Sequence, residues 1–243
     1  MRFIRENVKD TIVFYGSARI LSQQEARQKV RRVSRLKNAT RAKIIEAQTQ
    51  LEMSRYYTDT VELSKRLTQW SINQEPGNRF VICSGGGPGI MEAANRGARL
   101  AGGKTIGLNI SLPFEQDPNK YITPSLNFEF HYFFMRKFWF AYLAKALVIM
   151  PGGYGTMDEL FELLTLVQTG KIKKKMPIVI YDRKFWEKVI NFEILAKKNL
   201  ITKADLNLFY IAETVDDAFD HLVSELSKHY LQKTISLFNT RIL

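Results

Sequence analysis

Seven of the 14 glycines fall in two short loops whose make-up suits anion binding. The first reads Ser84-Gly85-Gly86-Gly87-Pro88-Gly89-Ile90-Met91-Glu92 and the second Pro151-Gly152-Gly153-Tyr154-Gly155-Thr156-Met157-Asp158-Glu159. Each follows a strand-like apolar run and opens a helix-like one. Without Cβ atoms, backbone N–H groups can close on an anion, and a helix N-terminus adds unpaired donors and a favourable dipole. Both loops are therefore candidate phosphate cradles. Neither carries a known fingerprint. A dinucleotide loop needs Gly-x-Gly-x-x-Gly, but the sixth residue is Ile90 counting from Gly85 and Asp158 counting from Gly153. A Walker loop needs a terminal Gly-Lys-Ser/Thr, and neither loop has the lysine. NAD binding and nucleoside-triphosphate hydrolysis are thus disfavoured, and a mononucleotide with one phosphate fits better. The bland alternative is a pair of tight turns that hold no ligand.

Elements must place both loops on one edge. Apolar runs of strand length occupy Thr11–Tyr15, Phe80–Cys83, Thr105–Leu108, Ala146–Met150 and Ile178–Tyr181, with a weaker one at Leu208–Ala212. They are continuous rather than alternating, as in strands covered on both faces of a parallel sheet. Helical patterns fill about 22–73, 89–101, 133–145, 156–169, 184–197 and 215–229. This alternation predicts a doubly wound, mostly parallel, Rossmann-like α/β sheet flanked by helices, with a long helical insertion after the first strand. Ligands in such sheets bind at the carboxyl ends of the strands. Thr214 with Asp217 reads as a capping box, Gly170 as a helix stop and Pro76-Gly77 as a break. The segment 22–73 reads as one long helix, or two with a bend near Lys37–Thr40. No linker is evident, so residues 1–243 read as a single domain with a weakly patterned tail over 230–243.

Composition narrows the classes. With 29 aromatic residues (16 Phe, 10 Tyr, 3 Trp) and 45% hydrophobic residues, the chain is not disordered. Cys83 is the one cysteine, which excludes a disulfide scaffold and fits a reducing cytoplasm. No apolar run is long enough to span a bilayer, so no membrane partner is expected. His131, His221 and His229 lack partners at ligand spacing, so no metal or other cofactor is expected. The net charge is +12, and eight basic residues without an acid lie between Arg27 and Lys43. Charge alone raises nucleic-acid binding. The stretch has no interleaved aromatics for stacking on single strands, which makes that partner unfavoured. Nine aromatics crowd residues 128–142. One helix cannot bury them all, so some are expected to face a partner subunit.

Pro151-Gly152-Gly153-Tyr154-Gly155-Thr156-x-x-Glu159, with Met135-Arg136-Lys137 upstream, resembles the LOG family. These are the cytokinin riboside 5′-monophosphate phosphoribohydrolases, often mislabelled as lysine decarboxylases. The resemblance runs from about Ile12 to Ala218. Gly16-Ser17 matches the family's first loop and Gly85–Gly89 its second, in the manner of the bacterial subgroup. The resemblance implies hydrolysis of the N-glycosidic bond of adenosine 5′-monophosphate, or an N6-modified form, to free base and ribose 5-phosphate. It implies Glu159 and Arg136 as catalytic residues. Gly152, Gly153, Tyr154, Gly155 and Thr156 would hold the phosphate, with Gly16, Ser17, Gly86, Gly87, Met135 and Lys137 completing the substrate site. Glu92 is either a further site carboxylate or a first-turn acid that suits the helix dipole. The family also implies at least a homodimer.

Each role has a competitor. Thr156-x-x-Glu159 is also a capping box. Arg136-Lys137 could be a solvated pair, although its neighbours are aromatic. A carboxylate near a helix N-terminus is expected to stay ionised. The whole protein could instead bind a nucleotide or a molybdopterin-type cofactor without turnover. Nothing marks a Schiff-base lysine for pyridoxal phosphate.

Overall fold

The computed structural model describes residues 2–75, 79–111 and 117–231. The Pro76-Gly77 break and residues 232–243 of the tail lie outside that range. Among the described residues there are seven strands: β1 (Asp10–Tyr15), β2 (Phe80–Ser84), β3 (Thr105–Ile110), β4 (Asn127–Phe130), β5 (Ala144–Ile149), β6 (Ile178–Tyr181) and β7 (Tyr210–Ala212). They form one sheet in the order β4-β3-β2-β1-β5-β6-β7. All six pairings are parallel. The winding reverses between β1 and β5, so the switch point lies at the first strand and the second glycine loop.

The helices are α1 (Arg2–Arg5), α2 (Gln23–Ser34), α3 (Arg41–Ile72), α4 (Ile90–Leu100), α5 (Phe133–Leu143), α6 (Tyr154–Gln168), α7 (Arg183–Val189), α8 (Phe192–Lys197) and α9 (Val215–Leu226). Strand parity sorts them. Ile12 and Phe14 of β1 face a core shared with α3, α4 and α9, and Val13 and Tyr15 face a core shared with α5, α6 and α7. Burial of β1 is unbroken from Thr11 to Tyr15, which is why its sequence shows no alternation.

Segment 22–73 takes the second of its two expected forms, two helices parted between Arg35 and Thr40, each started by a side-chain cap: Ser22 with Glu25 in a full capping box, and Thr40. Four expectations change. A strand the apolar pattern does not reveal, β4, lies at the sheet edge within the aromatic-rich stretch. Its residues are half-buried or exposed, so it carries no continuous apolar run. The 184–197 helix is broken at Ile190-Asn191, where Asn191 caps a new turn. The weak run at Leu208–Ala212 is a strand only over Tyr210–Ala212, because Thr202 and Asp205 cap a 3₁₀ turn through Leu208. Thr214 does cap α9, but the Asp217 carboxylate accepts from the Glu213 N–H (3.0 Å) rather than closing the box on Thr214.

α3 runs antiparallel to the strands. Its end is tied to the start of β2 by Ser71 and Phe80 (2.8 and 2.9 Å), and Tyr57 donates to Glu92 (2.6 Å) at the start of α4. The turns before Tyr57 therefore overhang the carboxyl edge of the sheet, by about 24 Å at a 1.5 Å rise per residue. α2 packs back on this overhang, with Lys29 bonded to Glu46 (2.6 Å). The basic stretch thus forms a projecting hairpin on the same edge as the glycine loops. Seven of its eight basic residues are exposed.

Candidate functional site

Backbone hydrogen bonds lace three loops together at the switch point. Ser17 N–H donates to the Pro151 carbonyl (3.1 Å), Met150 N–H to Tyr15 (2.8 Å) and Ile90 N–H to Ser17 (3.1 Å). A cavity of about 590 Å³ opens above them. Gly16 to Arg19 line it after β1, Met91 from α4, Ile110 from the end of β3, Phe133 and Arg136 from α5, and Gly153 to Met157 with Glu159 from α6. The crossover from β4 to β5 passes over the intervening strands, which is how α5 brings Arg136 to the switch point.

Among the described residues, the three helices that line the cavity through Met91, Arg136 and Glu159 differ from the capped helices. The N-cap residues of α4, α5 and α6 (Gly89, Tyr132 and Gly153) make no side-chain cap bond. α2, α3, α7, α8 and α9 are each capped, by Ser22, Thr40, Asp182, Asn191 and Thr214. The first-turn N–H groups of α6 therefore have no internal acceptor, and they border the cavity. A Cβ at Gly153 or Gly155 would meet nothing within 4 Å, so these glycines keep the approach to those donors open.

Arg136 and Glu159 meet inside. Nη2 lies 3.2 Å from Oε1, and the two side chains are only 11% and 13% exposed. The guanidinium also lies over the Phe133 and Phe140 rings, 5.3 and 5.7 Å from their centroids. Arg136 Nε is buried without a hydrogen-bond partner. Burial pushes the Glu159 carboxyl up to about 7, against the opposing pull of Arg136. This corrects the expectation of a carboxylate held ionised by the helix dipole. Glu159 sits past the first turn, where desolvation outweighs the end charge. The capping-box alternative also fails, because α6 starts at Tyr154. Thr156 is then inside the first turn, its side chain packed on Gly152.

Of the other expected residues, Gly16, Ser17, Tyr154, Gly155 and Thr156 line the cavity, with Gly152 beneath. Tyr154 is 92% exposed at the rim. Gly86 and Gly87 do not reach the cavity. Gly86 N–H donates to Ser84 Oγ (3.1 Å), and Asn119 Nδ2 donates to both carbonyls (2.9 and 3.1 Å). The Gly86 N–H and the Gly86 and Gly87 carbonyls are therefore taken up inside the protein. Met135 is exposed outside the cavity. Lys137 turns to the outer face of α5, where Asp158 and Glu162 take it at 2.8 and 2.9 Å. Glu92 is bound to Tyr57, away from the cavity. Ala18, Arg19, Met91, Ile110, Phe133 and Met157 line the cavity without being expected from the sequence. Arg19, a cation three residues beyond Gly16, was the one with a readable signal.

Cys83 is buried in β2, and burial pushes its thiol up, away from reactivity. Among the described residues no group of His, Cys, Asp or Glu is placed to hold a metal ion, and no helix is long and apolar enough to cross a membrane. Tyr132, Phe133, Phe134, Phe138 and Tyr142 remain exposed on and beside α5.

Comparison with known proteins follows this geometry. The chain is 24% identical over 164 residues to a rice (Oryza sativa subsp. japonica) protein named probable cytokinin riboside 5′-monophosphate phosphoribohydrolase LOG4, covering 67% of each chain. Its fold is similar to that of the molybdenum cofactor carrier protein of Chlamydomonas reinhardtii (TM-score 0.53, 20% identity, 90% of this chain and 99% of that one). It is also similar to the molybdenum cofactor binding protein of Rippkaea orientalis (TM-score 0.51, 19% identity, 70% and 86%). The family described as "Possible lysine decarboxylase" matches residues 91–222, a span that includes Arg136, the second glycine loop and Glu159, and the chain belongs to this family, the LOG family.

Proposed function

We propose that the protein hydrolyses the N-glycosidic bond of adenosine 5′-monophosphate, or of an N6-modified form, releasing the base and ribose 5-phosphate. The observation that carries this reading is the buried Arg136–Glu159 pair facing the same cavity as the uncapped start of α6. The 5′-phosphate is received by the free N–H groups of Tyr154, Gly155 and Thr156, with the Ser17 loop opposite. The C1′–N bond breaks as positive charge grows on the ribose. The Glu159 carboxylate stabilises that charge, water adds at C1′, and the proton the water loses goes to the nitrogen of the departing base. Arg136 donates to the departing base and offsets its negative charge. Phe133, Met91 and Ile110 give the base an apolar wall.

The direct test is adenine release from AMP and from N6-substituted AMP by purified protein. Bound AMP with no release would leave a nucleotide-binding protein and end the enzymatic reading. Gly155→Ala supplies an independent check. Alanine favours the helix by up to about 1 kcal/mol over glycine. Its methyl enters open space at the cavity mouth. Thermal stability is expected to hold or rise while AMP affinity falls about tenfold, roughly the 1.4 kcal/mol of one good hydrogen bond to a charged group.

The exposed aromatic face of α5 supports a homodimer, or a higher homo-oligomer, in this reading. A Phe134→Ser/Phe138→Ser double variant is expected to shift the mass measured by light scattering towards the monomer. An unchanged mass would place the contact elsewhere.

A further inference from the structure

A second cavity, about 720 Å³, opens at the amino ends of β6 and β7, on the edge opposite Glu159. Four lysines line it: Lys173, Lys174 and Lys175 in the turn before β6, and Lys228 beyond α9. Among the described residues Glu225 is the one carboxylate on its wall, and it sits between Lys228 (3.9 Å) and His229 (3.2 Å). Among the described residues Lys173, Lys174 and Lys175 form no ion pair. Residues 232–243 contain no Asp or Glu side chain to supply one. Four lysines against one carboxylate leave this wall net positive. An anion of several charges complements it. Beside the lysines, the Tyr210 and His221 rings lie parallel, with centroids 4.1 Å apart, and offer a flat aromatic wall.

We propose that this cavity binds a nucleoside di- or triphosphate, its phosphates on the lysines and its base against the Tyr210–His221 pair. A single phosphate brings at most about two negative charges, fewer than the lysines present. The volume falls within the usual 300–1,000 Å³ of small-molecule pockets. The cavity also touches both helices that carry the first site. Val167, on its wall, belongs to the helix that begins beside Glu159. Lys174 donates to the carbonyls of Ala141 (2.7 Å) and Tyr142 (2.9 Å) at the end of α5, the helix that bears Arg136. An occupant that draws Lys174 away loosens those bonds, which gives the two cavities a physical connection.

The test uses the full-length Glu159→Gln chain, which is expected to hold AMP without rapid turnover, with saturating AMP so that the first cavity stays filled, and titrates ATP and inorganic tripolyphosphate by calorimetry. Both probes are expected to bind one to one, more weakly as salt rises, with ATP at least threefold tighter. A Lys173→Gln/Lys175→Gln double variant, changing two exposed side chains, should weaken both at least tenfold and leave AMP affinity within twofold. Tyr210→Ala should reduce ATP to the affinity of tripolyphosphate. Equal affinity of the parent protein for the two probes would overturn the proposal. So would loss of ATP binding once AMP saturates the first cavity, or indifference of both probes to the lysine changes.

Discussion

Changing Glu159 to glutamine is expected to slow adenine release from AMP by about 10²–10³-fold, the usual effect of deleting one preorganised charge at a transition state. Glutamine keeps the size and can still accept from Arg136, so AMP binding should change much less than turnover. A variant within threefold of the parent rate would remove Glu159 from the chemistry. The pH dependence follows from its burial. The carboxyl is pushed up to about 7. As an electrostatic stabiliser it must be ionised, so kcat/KM should rise with pH up to about 7 and then level. The same shift acts on stability with the opposite sign. The folded state holds its proton to a higher pH than the unfolded chain, whose value is 4.5. No cost exists below about pH 4.5. Stability is then lost as pH climbs to about 7, by about 3 kcal/mol in full. Glutamine does not titrate. The thermal midpoint of Glu159→Gln relative to the parent should therefore be higher at pH 8 than at pH 4.5, by roughly 5–10 °C for a chain of this size. Parallel midpoints for the two proteins across that range would contradict the buried, titrating carboxyl.

The second large effect is structural. Gly89 has φ +68° and ψ −129°, a conformation strained for any residue with a Cβ. A methyl there would run into the Ser17 carbonyl and Ala18, both backbone, which cannot swing aside. Gly89→Ala is expected to cost at least about 3 kcal/mol, the strain of roughly 1–3 kcal/mol plus the clash. The midpoint should fall by about 10 °C. Because Ile90 N–H also holds Ser17, the variant should lose AMP affinity along with stability. Gly102→Ala is the control. Its φ of +76° is similar, but nothing lies within 4 Å of the added Cβ, so only the strain applies. If both variants lose the same stability, the close packing of the Gly89 and Ser17 loops has no energetic weight.

Five strands and the helical regions between them are readable from runs of Ile, Val, Leu and Phe, because a strand covered on both faces is apolar at most positions. β4 escapes this reading because an edge strand is only partly covered. The Arg136–Glu159 pairing escapes propensity and spacing altogether. The two residues are 23 positions apart on different helices, and only the β4-to-β5 crossover brings them together. The basic stretch is misleading in isolation. Its charge is plain in the sequence, but its place on the glycine-loop edge depends on the direction and length of α3.

The sequence by itself determined the layered α/β class, the strand-loop-helix units and the residues available at the second glycine loop, since these depend on local pattern and backbone freedom. Tertiary structure alone decided which groups face the cavity. It turned Gly86 inward, onto Ser84 and Asn119. It sent Lys137 outward to Asp158 and Glu162 while its neighbour Arg136 went inward, since adjacent positions on a helix point about 100° apart. It also set the protonation of Glu159, because loss of water around a charge depends on every element packed over it and is encoded in no single stretch of chain.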